Sequence, residues 1–193
     1  MNQLPFDKDS VAALMDRLSR AMQRAQYAGG LNPAQWEALR YIARANRYSR
    51  SPTAVAEYLG ATKGTVSQTL KALEHKGCIA RKPSRSDRRA VDLELTPAGR
   101  KALSRDPLNG IGDAVEASGG QLAAIAGVLG GLLRGLQRSG GLREFGQCSQ
   151  CAHLCRDCAS AGAGGPHVCG MTGDALSDDE TTQLCVAYLA SAG

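Results

Sequence analysis

The chain has 193 residues, 43% of them apolar and only 4% aromatic, with a formal net charge of +5. That composition excludes a disordered polypeptide and favours a helical core of Leu, Ala, Ile and Val. The charge is segregated: 141–193 carries two basic and six acidic side chains, whereas 61–89 carries eight Lys/Arg against Glu74 and Asp87, a local field suited to a phosphate backbone.

The opening MNQLPFDKDS has neither the basic region nor the apolar run of a secretion signal. The longest apolar stretch, Leu122 to Leu133, falls short of the ~20 residues a bilayer requires. The expectation is a cytoplasmic protein without a membrane span, whose thiols stay reduced. Val11, Leu14, Leu18 and Met22 recur at helical steps and predict a helix over 8–27, stopped by Gly29-Gly30. Asn32-Pro33 is an N-cap followed by Pro at the first helical position, opening a helix with Trp36, Leu39, Ile42 and Ala43 inward. The polar run 44–50 reads as a loop.

Ser51-Pro52-Thr53 opens a short helix that Gly60 ends, and Thr62 caps a longer one that runs to about Lys76. Two short helices joined by a tight Gly-containing turn make a helix-turn-helix. Residues 78–82 and 90–95 read as two strands, the second alternating apolar and charged residues, with a polar basic tip between them. Thr96-Pro97 starts another helix, to about Ser104. Residues 106–119 are interrupted by Gly and Asp and predict no clear element. Residues 121–138 are helical by pattern, with Leu122, Ile125, Leu129, Leu132, Leu133 and Leu136 on one face and Gly127, Gly131 and Gly135 four apart. Ser139-Gly140-Gly141 reads as a linker between a first unit, 1–140, and a tail, 141–193.

In the 62–76 helix, Val66, Leu70 and Leu73 share the core face. The other face carries Gly64, Gln68 and Lys71, flanked by Thr65 and Ser67. A helix entering a major groove needs short side chains for close approach and amide or hydroxyl groups for base edges. Gln68 suits adenine, Thr65 and Ser67 suit phosphate or base, and Lys63 and Lys71 suit phosphates; Thr53 and Thr62 stand at the neighbouring helix starts. A solvated outer face would have the same polarity, so the context decides. The order helix-turn-helix, strand, basic tip, strand, helix is that of a winged helix.

The run from Ser51 to Arg100 resembles the MarR family of bacterial regulators, through TKGTVSQTLKALEHKG in the second helix, Asp87-Arg88-Arg89 in the tip and L-x-L-T-x-x-G at Leu93–Gly99. The resemblance covers about 5–140. It implies a mainly α fold with a small β-hairpin wing and N- and C-terminal dimerisation helices. It also implies a homodimer on a pseudo-palindromic DNA operator, as a transcriptional regulator of repressor type. The wing residues Arg85, Arg88 and Arg89 would reach flanking minor grooves, with Asp87 orienting one of them. A small-molecule effector between the dimerisation helices and the DNA lobes is a further implication.

Six of the seven cysteines lie in the tail, as Cys148-x2-Cys151-x3-Cys155-x2-Cys158-x10-Cys169-x15-Cys185, with His153 and His167 among them. A C-x2-C pair brings two thiolates to one metal from a single turn, and a second pair completes the set. The tail has few large apolar residues and needs a staple to order itself. Yet Ser177-Asp178-Asp179-Glu180 is a capping box that starts a helix. Two ligand sets stand open: Cys148, Cys151, Cys155 and Cys158, or Cys148, Cys151, Cys169 and Cys185, with His167 as a further alternative. The second set closes both long loops and pins the last helix through Cys185, which is the reason to prefer it. Some MarR-like regulators carry cysteine-rich C-terminal extensions that look similar.

All-thiolate sets suit zinc or an iron–sulfur cluster. Zinc would make this a small structural metal-binding tail, leaving regulation to a small molecule; a cluster would make it a sensor. The competing class, a thiol or electron-transfer enzyme, lacks the βαβ context of a thioredoxin-like motif and any Ser-His-Asp, Walker or dinucleotide signature, so the reading is a non-enzyme. Cys78 reads as a small buried residue.

Overall fold

The computed structural model describes residues 7–27, 30–83, 90–117, 119, 121–158 and 164–191. Helix α1, Lys8–Gln26, starts where the Asp7 carboxylate accepts from the Ser10 amide. Helix α2, Pro33–Arg44, opens on a full capping box between Asn32 and Gln35. Helix α3, Pro52–Leu59, is capped by Ser51 and ends on Gly60 at φ 59°, a left-handed position that costs glycine nothing. Helix α4, Lys63–His75, is capped by Thr62, which accepts from the Thr65 amide.

Strands β1, Ile79–Pro83, and β2, Val91–Leu95, pair antiparallel with Ile79 opposite Leu95 and Pro83 opposite Val91. Helix α5, Pro97–Leu103, follows on the Thr96 cap. Residues 109–117, left without an assignment by their Gly and Asp content, form helix α6, Asn109–Ala117. Asp106 explains its start: the carboxylate accepts from the Leu108 amide and also binds Arg40 of α2 through both oxygens, at 2.6 and 3.1 Å. A long-range ion pair thus fixes a segment whose local sequence favours a turn. Helix α7, Leu122–Ser139, matches its predicted span to within a residue.

The core is the α2–α3–α4–β2 centre: Trp36, Leu39, Tyr41, Ile42, Val55, Val66, Leu70, Leu73 and Leu93 are all at most 2% exposed. The tail contributes Leu184 to this same core, and Phe145 and Val186 pack against it. Phe145 stands edge-on to both Tyr41 and Tyr58. The tail itself is built of very short pieces. Strand β3, Gly146–Gln147, pairs with β7, Leu184–Cys185; β4, Leu154–Cys155, β5, His167–Cys169, and β6, Ala175–Leu176, make a second small sheet.

The capping box at Ser177 and Glu180 is present, but its helix α8, Asp178–Thr181, is a single turn. Cys185 therefore lies on a strand, not on the helix the sequence led one to expect. The pairing of β7 with β3 and its bridge to Ala45 outweigh the local helix signal.

Most of the exposed large apolar residues fall on two helices. Val11, Leu14 and Leu18 of α1 are at least 45% exposed, and Leu122, Val128, Leu129, Leu133 and Leu136 of α7 at least 47%. A Cβ added at Gly127, Gly131 or Gly135 meets nothing within 4 Å, so this ridge packs against nothing among the described residues. Among the described residues no helix is long and apolar enough to cross a membrane.

Candidate functional site

Helix α4 sits on α2 and α3 through Val66, Leu70 and Leu73, each at most 1% exposed. That anchoring turns Lys63, Gly64, Thr65, Gln68 and Lys71 to solvent, with Ser67 half-buried. Thr53, at the start of α3, is exposed beside them. A shallow cleft joins the pieces: Pro52, Thr53, Lys63, Ser67, Leu70 and Arg81 line it. Thr62 and Thr65 have their hydroxyls 2.9 Å apart, so Thr62 is committed to capping before it meets any ligand. Arg81, on β1, is a residue of this face that the sequence motifs do not single out, despite the basic field around it. Its Nε donates to Glu74 at 3.1 Å, which holds the guanidinium at the edge of the cleft. The strand alternation that buries Ile79 is the signal that places Arg81 near it. Arg85, Asp87, Arg88 and Arg89 lie outside the described residues.

The second feature is a pocket between the tail and the loop after α2. Cys148, Cys151, Cys169 and Cys185 line it together with Asn46, Tyr48, His153 and apolar neighbours such as Leu154, Met171 and Leu176. Its cavity is small, about 40 Å³, and partly open to solvent. All four cysteines are free thiols; Cys148 and Cys185 are buried, Cys151 and Cys169 half-buried. The Cys148 thiol bonds Cys185, which holds Cys185 well below the ordinary thiol range. The same bond, and then burial, push Cys148 up. The Asn46 side-chain amide donates to the Cys148 sulfur at 3.7 Å.

The alternative ligands are placed otherwise. Cys155 and Cys158 are bonded to each other as a disulfide, which corrects the compact set Cys148, Cys151, Cys155 and Cys158. The buried His167 has both ring nitrogens engaged, one 2.9 Å from the Asp178 carboxylate and the other accepting from the Asp157 amide at 3.2 Å. Among the described residues no group of three or more His, Cys, Asp or Glu converges closely enough to hold a metal ion. Cys78 is free and 7% exposed, under α5.

The loop read as merely polar is the tail's dock. The Asn46 amide donates to Leu184 O at 2.9 Å, and the Val186 amide to Ser49 Oγ at 2.9 Å. Arg47 pairs with Glu180 at 3.1 Å and donates to Ala175 O, and Tyr48 donates to Asp174 at 2.6 Å. No periodicity announces such a loop, because its partners lie more than 120 residues away.

A helix-turn-helix with its second helix presented outward, followed by an antiparallel hairpin and a helix, defines a winged-helix protein. Residues 29–90, about a third of the chain, match the family model described as MarR family. The chain is similar to the transcriptional repressor YetL of Bacillus subtilis, 25% identical over 96 residues, half of this chain and 58% of that one. It is also 36% identical over 76 residues to a putative transcriptional regulatory protein for the hcr operon of Thauera aromatica, across 39% of this chain and 45% of that one. It thus spans about half the length of these curated relatives. Among solved structures, a MarR transcriptional regulator from Methanosarcina mazei superposes with a TM-score of 0.55 at 19% identity, over 68% of this chain and 99% of that one. A mutant of MepR from S. aureus gives 0.52 at 20% identity, over 69% and 98%. These two share its fold.

Proposed function

We propose that this protein is a sequence-specific DNA-binding transcriptional regulator, of repressor type and without enzymatic activity, that acts as a homodimer on a pseudo-palindromic duplex. The observation that carries this reading is the outer face of α4. Lys63, Gly64, Thr65, Gln68 and Lys71 stand exposed on a helix whose other face is locked into the core. Gly64 permits close approach, Gln68 offers a bidentate amide to a base edge, and the lysines neutralise phosphates. Relatives that are named as transcriptional regulators support the same role.

The second copy is the partner suited to α1 and α7, whose apolar faces have no cover among the described residues. Burying them symmetrically removes a large hydrophobic surface from water. A small-molecule effector would suit the cleft between α2, β2 and α5, lined by Ile42, Arg50, Leu93, Glu94, Arg100 and Leu103.

Selection from a pool of randomised duplexes tests the reading. Wild-type protein is expected to enrich an inverted repeat. Gln68→Ala relaxes the preference at one base pair per half-site, by about 1–3 kcal/mol. Arg88→Ala weakens all duplexes alike and flattens the dependence of affinity on salt. A pool that remains random after selection overturns the proposal.

A further inference from the structure

We infer that Cys148 and Cys185 form a dithiol that hydrogen peroxide closes to a disulfide, and that the closure displaces the loop over residues 45–50. The two thiols come from different elements, Cys148 from the 3-10 turn Cys148–Gln150 and Cys185 from β7. The β3–β7 register sets them diagonally across one strand pair: Gln147 lies opposite Leu184, and the Cys148 amide donates to the Gln183 carbonyl. Their sulfurs are hydrogen-bonded to each other. They need only close from that contact to the ~2.05 Å of a disulfide. Cys155 and Cys158 are already joined to each other and do not compete.

The surroundings divide the roles. The nucleophile in thiol oxidation is the thiolate. The Cys185 sulfur accepts from the Cys148 thiol, the Asn46 side-chain amide and the Ala187 backbone amide, donors that favour negative charge on sulfur. Cys185 is thus the attacking group and Cys148 the resolving one. The pocket beside them holds about 40 Å³ and opens to solvent, room for a molecule little larger than water. Leu154, Met171, Leu176 and Ala187 make its wall apolar. Hydrogen peroxide, small and neutral, fits; a bulky organic hydroperoxide or the charged glutathione disulfide does not. The Cys185 thiolate attacks one peroxide oxygen, the O–O bond breaks, and the departing hydroxide takes a proton and leaves as water. The sulfur of Cys148 then attacks the sulfenic acid at Cys185, the S–O bond breaks, and a second water leaves with the Cys148 proton. The two thiols give up two electrons, and one peroxide is reduced to two waters.

The dithiol is tied to the loop after α2 from both sides. The Asn46 side chain donates to the Cys148 sulfur at 3.7 Å, its backbone amide to Leu184 O at 2.9 Å, and the Val186 amide to Ser49 Oγ at 2.9 Å. Drawing the two sulfurs together moves these anchors against each other. At the far end of the loop Arg50 O accepts from the Leu93 amide of β2 at 2.6 Å, and Ser51 caps α3. The displacement therefore reaches the joint between α3 and the wing strand. Its effect on DNA affinity rests on the DNA-binding reading above.

The full chain, reduced and freed of reductant, is treated with hydrogen peroxide and its peptides are mapped by mass spectrometry. A Cys148–Cys185 linkage is expected, formed about tenfold faster than with cumene hydroperoxide or glutathione disulfide at equal concentration, a preference that access to the thiol creates and that the urea-unfolded chain lacks. Cys148→Ser stops at a sulfenic acid on Cys185 that dimedone traps, and Cys185→Ser gives neither product. The wild-type map decides where a variant fails to fold. Linkage of other cysteines, no linkage, or stoichiometric zinc or iron occupying the thiols of the purified chain overturns the dithiol. Equal rates with the three oxidants overturn the assignment of hydrogen peroxide. With a duplex enriched from the random pool, the oxidised protein is expected to bind about tenfold more weakly, an ordinary allosteric coupling, and dithiothreitol to restore it. Equal affinity of the two forms overturns the regulatory half. Failure of both forms to bind overturns the DNA reading, and the peptide map then still decides the dithiol.

Discussion

Gly99 closes the junction between wing and helix α5. Its amide donates to Thr96 Oγ1, which itself donates to the Gly77 carbonyl, and the Thr96 amide donates to the Cys78 carbonyl. A Cβ at position 99 would overlap the Cys78 carbonyl oxygen, which is backbone and cannot rotate away. Gly99→Ala is therefore expected to cost about 1–3 kcal/mol, seen as a lower denaturant midpoint with an unchanged slope. The motif L-x-L-T-x-x-G was legible in the sequence; the reason for its glycine is a contact between Gly99 and Cys78, just before β1. The same holds for Arg81, whose place beside Lys63 and Ser67 depends on how β1 crosses the end of α4.

At the scale of elements, caps and periodicity gave the helices to within a residue or two because those signals are local. Asp7, Asn32, Ser51, Thr62 and Thr96 each accept from the amide three residues on. Helix α6 and strand β7 were not legible: one depends on the Arg40–Asp106 pair, the other on pairing across the chain. Helix α7 presents a different case, with a clear apolar stripe and no buried residue. A second copy accounts for it, so Leu129→Asp with Leu133→Asp should convert a dimer to a monomer in sedimentation and abolish enrichment of an inverted repeat. A wild-type chain that sediments as a monomer at micromolar concentration would remove that role from α7. On β7, Leu184 is 6% exposed within the main core. Leu184→Ala is expected to lower stability by about 2–5 kcal/mol, read in urea unfolding.

Across the whole molecule, the tail and winged helix share one core while carrying opposite charge, the tail acidic and the 61–89 region basic. Ending the chain after Ser139 removes Phe145 from Tyr41 and Tyr58, takes Leu184 out of the core and frees the Asn46 amide. Hydrogen exchange should then show residues 45–50 unprotected while α4 retains its slow amides; unchanged protection of the loop would refute the docking role of the tail. The sequence by itself determined the winged-helix order, the caps, the inward stripe of α4 and hence its outward residues, since each depends on neighbours within a few positions. Only the tertiary structure decided that the loop after α2 receives the tail, and that Cys148, Cys151, Cys169 and Cys185 face one pocket while Cys155 pairs with Cys158. Those arrangements are made by strand pairings and hydrogen bonds between residues far apart in the chain, and spacing alone does not encode which of several equivalent thiols such pairings bring together.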